Sequence, residues 1–163
     1  MAITIRPIEQ RDDPVLAEII RTVFREFKID KPGTVYTDPT TDNLYALFKT
    51  PDAAYWVAEE DKKLLGGCGI YPTEGLPLKY AELVKFYLSA DSRGKGIGKA
   101  LMEKCFSAAT ASGYEQLYLE SFPELATAVG MYKKAEFAFI DKPLGNSGHY
   151  ACNIWMVKNL IPG

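Results

Sequence analysis

Residues 89–102 read SADSRGKGIGKALM, with three glycines and three cations packed into the seven positions from Arg93 to Lys99. The run follows an apolar stretch, ELVKFYL, and precedes a stretch with helical spacing. A strand that turns into a helix through alternating glycines leaves the first helical N–H groups without intrahelical acceptors. Their dipoles converge on one place, where an anionic group is stabilised. Glycine lets the main chain approach a bulky phosphate and adopt angles that a side chain would forbid. The fold must therefore contain a strand-to-helix entry of this kind, and the run is too purposeful for a flexible linker.

Two phosphate motifs can be tested on register. A P-loop needs G-x-x-x-x-G-K followed by Ser or Thr, but Lys99 is followed by Ala100 and position 93, six residues earlier, is arginine. A dinucleotide fingerprint needs G-x-G-x-x-G, and after Gly94 and Gly96 the third glycine, Gly98, arrives one residue early. Neither fits. What remains is R-x-x-G-x-G, carried by Arg93, Gly96 and Gly98.

Composition limits the partners. The 163 residues suit one globular domain spanning 1–163, and 19 basic against 21 acidic residues leave a net charge of -2. No overall basic field invites nucleic acid or an anionic membrane. Cys68, Cys105 and Cys152 lie far apart and the chain has one histidine, so no metal site is expected. With no leader-like start and no apolar run of about 20 residues, a soluble cytoplasmic protein is the expectation.

Along the chain, ITIRPI alternates as a half-buried strand, and Asp12 or Asp13 with Pro14 opens a helix. Leu16, Ile19, Ile20, Val23, Phe24 and Phe27 give it an apolar face ending near Lys28. Residues 29–40 read as a loop, followed by a short helix over 42–48. AYWVAEE, LLGGCGIYP and KYAELVKFYLSA read as three antiparallel strands. A helix follows over 98–112, with Leu101, Cys105, Ala108 and Ala109 inward and Gly113 at its end. Then come a strand EQLYLES, a helix opened by Pro123, a short strand FAFI, a loop over 141–148, and a closing strand over 150–160. This order predicts an α/β (α+β) domain with one twisted sheet covered on both faces.

With the order of elements and the R-x-x-G-x-G turn in place, the chain resembles the GCN5-related N-acetyltransferase (GNAT) family over nearly its whole length. A second stretch, AVGMYKKAEF, is similar to the family's A-x-x-L-Y-x-K-x-G-F. Ala128, Met131, Tyr132, Lys134 and Phe137 match, and Glu136 stands where glycine is usual. The resemblance implies a mixed, mostly antiparallel sheet in which two parallel strands, ELVKFYL and EQLYLES, splay to admit acetyl-coenzyme A. It implies that the backbone of Phe86, Tyr87 and Leu88 binds the pantetheine arm. Arg93 and the amides of Gly94, Lys95, Gly96, Ile97, Gly98 and Lys99 would hold the pyrophosphate. The asparagine that often binds pantetheine is Leu125 here. Relatives are often dimers, so a homodimer is open.

Acyl transfer to an amine needs a neutral nucleophile, a stabilised oxyanion and a protonated leaving thiolate. The resemblance assigns the acid to Tyr132, whose other reading is a helix-face aromatic packed on the sheet. Glu82, eleven residues before Arg93, is the candidate base; its other reading is an exposed or lysine-paired strand carboxylate. Strand alternation puts Glu82 on one face with Val84, Phe86 and Leu88, and Lys85 and Tyr87 on the other. His149, in GNSGHY, could orient or deprotonate a substrate, ordered water is a further base, and Tyr36 and Tyr45 are weaker candidates. The expected reaction is direct acetyl transfer from acetyl-coenzyme A to a primary amine of a small molecule or peptide. A coenzyme A-binding sensor of the same fold is the alternative. The loops over 29–41 and 141–149 would select the acceptor, and carry no motif that names it.

Overall fold

The computed structural model describes residues 2–161. Its strands are β1 (Ile3–Pro7), β2 (Ala54–Glu60), β3 (Lys63–Tyr71), β4 (Tyr80–Leu88), β5 (Gln116–Ser121), β6 (Ala138–Ile140) and β7 (Ile154–Asn159). The helices are α1 (Asp13–Glu26), the single turn α2 (Leu44–Leu47), α3 (Ile97–Ala111) and α4 (Ala126–Lys134). The strands form one sheet in the order β1-β2-β3-β4-β5-β7-β6, with β4 and β5 its one parallel pair. The mixed, mostly antiparallel architecture expected from the sequence is the one observed.

Each face of the sheet is covered because the helices have apolar stripes to bury. On one face α1 buries Leu16, Ile20 and Phe24 against Tyr55, Val57 and Leu64, with Leu44 of α2 in the same cluster. On the other, α3 buries Ile97, Leu101, Cys105 and Ala109 against Ile70, Leu117 and Leu119. Pro14 stands in the first turn of α1, where a missing N–H costs no hydrogen bond.

Two boundaries differ from the sequence reading by more than two residues. Helix α4 begins at Ala126 and not at Pro123, because Phe122 is buried on the α1 side and the Leu125 N–H closes a turn on its carbonyl at 3.1 Å. The last strand begins at Ile154 and not near 150, since the Cys152 N–H turns back to the His149 carbonyl at 3.2 Å. The loop before it is correspondingly longer.

The centre of the sheet departs from regular pairing twice. Strands β4 and β5 pair only at Tyr80↔Gln116, Ala81↔Leu117 and Glu82↔Tyr118, and then separate. On its other side β4 has a bulge: Gly69 pairs with Val84 and Gly67 with Tyr87, so Lys85 and Phe86 together oppose Cys68. Lys85 takes the left-handed conformation there, with φ 52°. Gly67 and Gly69 make this possible, since a Cβ on either would stand within 2.6 Å of the Tyr55 ring. That ring places its hydroxyl to donate to the Lys85 carbonyl at 2.8 Å.

The bulge overturns the expected alternation. Ala81, Leu83 and Phe86 lie in the α3-side cluster with Leu88 packed against it, whereas Val84 and Tyr87 pack on the α1 side. Glu82 therefore shares a face with Val84 and Tyr87, not with Phe86 and Leu88. The inserted residue shifts the phase of every position after it.

Candidate functional site

Where β4 and β5 part, the sheet has backbone groups with no strand opposite, and the opening continues to the N-terminus of α3. A cavity of about 320 Å³ lies there, walled by Phe86, Tyr87 and Leu88 on one side and by Ala128 and Met131 of α4 on the other. Its far end is the glycine-rich turn, lined by Arg93, Gly94, Gly96, Ile97, Gly98 and Lys99. Gly94 and Gly96 have φ values of 79° and 77°, and nothing lies within 4 Å of where their Cβ atoms would be. The first helical bond at this end runs from the Ala100 N–H to the Gly96 carbonyl at 3.2 Å, so the amides of Ile97, Gly98 and Lys99 remain for an anion.

Arg93 works differently from its neighbours. Its guanidinium makes a bidentate pair with Glu26 at 2.7 and 2.9 Å, donates to the Leu88 carbonyl at 3.1 Å, and lies over the Phe27 ring. It thereby ties the end of α1 and the end of β4 to the turn. The pairing with Arg93 lowers the Glu26 pKa, by hydrogen bonding first and charge second. The side chain thus braces the turn while still lining the cavity where the resemblance puts the pyrophosphate.

Further along β4, the gap narrows to a cavity of about 40 Å³ lined by Glu82, Lys85, Glu120, Tyr132, His149 and Cys152, among others. The structure thus brings all three predicted chemical residues, Tyr132, Glu82 and His149, to one cavity. Tyr132 is buried, its ring against Phe86 and Phe137 at centroid distances of 6.0 and 5.8 Å. Burial raises its pKa, which keeps the phenol protonated. Glu82 is 3% exposed and accepts from the Thr73 hydroxyl at 2.7 Å. Burial, with the charge of Glu120 adding to it, pushes its pKa up to about 8. It is neither the exposed carboxylate nor the lysine-paired one that a strand end would suggest.

His149 is held by Asp38, whose Oδ2 lies 2.8 Å from Nε2. The Oδ1 of Asp38 accepts from the Thr40 N–H and hydroxyl at 2.9 and 2.7 Å. Burial opposes ionisation of Asp38, but the hydrogen bonds from His149 and Thr40 and the charge of Lys85 keep its pKa low. Lys85 in turn is pulled down by burial, against the opposing charges of Asp38 and Glu82. Glu120 accepts from the hydroxyls of Tyr118 at 2.6 Å and Ser147 at 2.5 Å, which anchors the loop that carries His149.

Asp38, Lys85 and Glu120 were absent from the sequence reading of the site. A signal existed for Lys85, a lysine amid ELVKFYL on a central strand, but alternation sent it to a different face. Tyr45 does not line either cavity, and Tyr36 packs near Phe24 on the α1 side. Among the described residues, no helix is long and apolar enough to cross a membrane.

Comparison with known proteins agrees with this geometry. The model of the acetyltransferase (GNAT) family matches residues 17–137. A protein of Escherichia coli (strain K12) described as the uncharacterized N-acetyltransferase YjgM is 36% identical over 157 residues, which is 95% of this chain and 93% of the relative. Among solved structures, a GNAT-family acetyltransferase from Staphylococcus aureus Mu50 superposes with a TM-score of 0.84 at 20% identity, over 98% of this chain and 100% of that one. The PaiA N-acetyltransferase of Thermoplasma acidophilum, solved in complex with coenzyme A, gives 0.75 at 20% identity, over 98% and 99%. Splayed strands, glycine-rich helix entry and family match together make this chain a member of the GNAT family of acetyltransferases.

Proposed function

We propose that the chain, acting as one domain over residues 1–163, transfers the acetyl group of acetyl-coenzyme A directly to a primary amine of a small molecule or peptide. The observation that carries this reading is the unbroken lining from the glycine-rich turn along β4 to Glu82 and Tyr132. Phe86, Tyr87 and Leu125 border both cavities, so donor and acceptor openings meet. The free amides at the start of α3 suit a pyrophosphate, the unpaired edge of β4 suits the amides of a pantetheine arm, and the solved PaiA relative carries coenzyme A.

In this reading Glu82 takes a proton from the acceptor ammonium, directly or through water, and the neutral amine forms its C–N bond to the acetyl carbon. An N–H of β4 near Leu88 stabilises the oxyanion, the C–S bond breaks, the Tyr132 hydroxyl gives its proton to the departing thiolate, and the new amide nitrogen sheds its extra proton, through water, to restore the phenol. His149, fixed by Asp38, lies on the acceptor side of the cavity and orients the amine. The chain's family favours turnover over a sensor role.

Thiol release from acetyl-coenzyme A over a panel of amines tests the reading, with Tyr132→Phe alongside. Amine-dependent release is expected, and a fall in kcat of about a hundredfold in the variant with the donor Kd little changed. Saturable donor binding without release for any amine would overturn it. An unchanged kcat, with chemistry rate-limiting, would remove Tyr132 as the acid.

A further inference from the structure

Lys85 takes no part in the scheme above, yet it is the most expensively placed cation in the gap. Its side chain is 4% exposed, and Asp38 Oδ2, the carboxylate oxygen in salt-bridge range, is 3.7 Å away, beyond hydrogen-bonding distance. Asp38 is also committed elsewhere, to His149 through Oδ2 and to Thr40 through Oδ1. It balances the charge of Lys85 from that distance, with a weakened hydrogen bond at most. A structural lysine at such a depth is paired and hydrogen-bonded, or carries its head to water. Lys85 is paired with Asp38 across 3.7 Å but has no hydrogen bond within 3.5 Å, and its left-handed backbone costs about 1 kcal/mol more. Strain and a weakly answered donor held together at a ligand cleft mark function.

The carboxylates of Asp38 and Glu120 keep their charge, but their oxygens are engaged by other donors. Both oxygens of Glu120 are taken by Tyr118 and Ser147. Glu82, with its pKa near 8, is largely neutral at pH 7. The cation with N–H bonds to spare here is the Lys85 ammonium, in a cavity of about 40 Å³ that Glu82 and Tyr132 also line. That space suits a carboxylate and a short stem.

We propose that Lys85 Nζ binds a carboxylate on the acceptor, and that the acceptor is a small free amino acid whose amine faces Glu82 and the donor thioester. The proposal rests on the acetyl-transfer reading and narrows it. A polyamine, with a second ammonium in place of the carboxylate, is the opposite charge pattern.

The test is thiol release by the full chain with acetyl-coenzyme A. The acceptors are glycine, L-alanine and L-phenylalanine, their primary amides, ethylamine and spermidine. An amide's α-amino group is less basic than that of the free acid, so more of it is neutral and chemistry alone favours the amide. Recognition by Lys85 reverses this: kcat/KM should be about tenfold to a hundredfold higher for the acids, the range of a hydrogen bond to a charged group. Lys85→Met should bring the acid-to-amide ratio near one with the Kd for acetyl-coenzyme A unchanged, and Lys85→Arg should retain part of the preference. Equal or better use of amides, ethylamine or spermidine by the wild type overturns the proposal and leaves acetyl transfer standing. Equal losses for acids and amides in Lys85→Met make the lysine structural and overturn it as well. No release with any amine overturns both readings. Should the methionine variant not fold, the wild-type ratio decides.

Discussion

Glu82 is the residue whose surroundings say most about its chemistry. Its carboxyl is buried, bonded to one hydroxyl and faced by a second carboxylate, so it ionises near pH 8. A base of that strength is matched to an alkylammonium more closely than an ordinary carboxylate would be. In the proposed role it acts only when ionised, so kcat/KM should rise with pH through about 8. Glu82→Gln should lose that rise along with most of the rate. An unaltered profile would move the base to water or His149. The spacing to Arg93 made Glu82 legible in the sequence, but its burial was not: Thr73, Glu120 and Lys85 meet it only through the sheet's topology and the bulge. Asp38 was illegible for the same reason, since its partner His149 is 111 residues away.

At the scale of elements, the strand and helix periods located every strand, while the bulge in β4 left no trace in them. Bulges arise from what the neighbouring strand can accommodate, here the Gly67 and Gly69 gap filled by Tyr55. The resemblance also implied trouble at Glu136, and the structure shows how it is met. Helix α4 ends with Glu136 left-handed at φ 72°, its N–H on the Lys133 carbonyl and the Phe137 N–H on that of Tyr132, both at 3.0 Å. This is the ending usually made by glycine, built with a side chain. Glu136→Gly should therefore stabilise the fold by about 1 kcal/mol, read as a higher urea midpoint at constant slope. A lower midpoint would mean that the glutamate side chain supports the end in a way its backbone angle does not show.

For the whole molecule, the ionisable groups pull stability in two directions. The folded pKa of Glu82 lies above its ordinary 4.5, so its contribution is full below 4.5 and is lost as pH rises through about 8. Asp12 behaves oppositely: burial raises its pKa, but the two bonds from Arg6 at 2.8 and 2.9 Å and one from the Glu9 N–H hold it below its ordinary 3.8. Its contribution is present above 3.8 and fades as pH falls through the depressed value. Thermal melts should show Glu82→Gln gaining Tm on the wild type between about pH 4.5 and 8 and levelling beyond, and the deficit of Asp12→Asn shrinking below about pH 4. Parallel curves in either pair would contradict the assignment.

The two loops around the acceptor cleft, distant in sequence, are joined at Gly33. A Cβ there would fall within 2.8 Å of the Tyr150 ring, and the Ala151 N–H donates to the Gly33 carbonyl at 3.0 Å. Asp38 and His149 pair across the same seam. Such loops are not interchangeable parts. A lineage adapting this scaffold to a new acceptor must alter both together, and a graft that imports one loop from a relative while keeping its counterpart would arrive with a mismatched seam. Acceptor preference in such enzymes should thus be inherited as a two-loop unit, free to drift as a pair while the donor turn stays as it is.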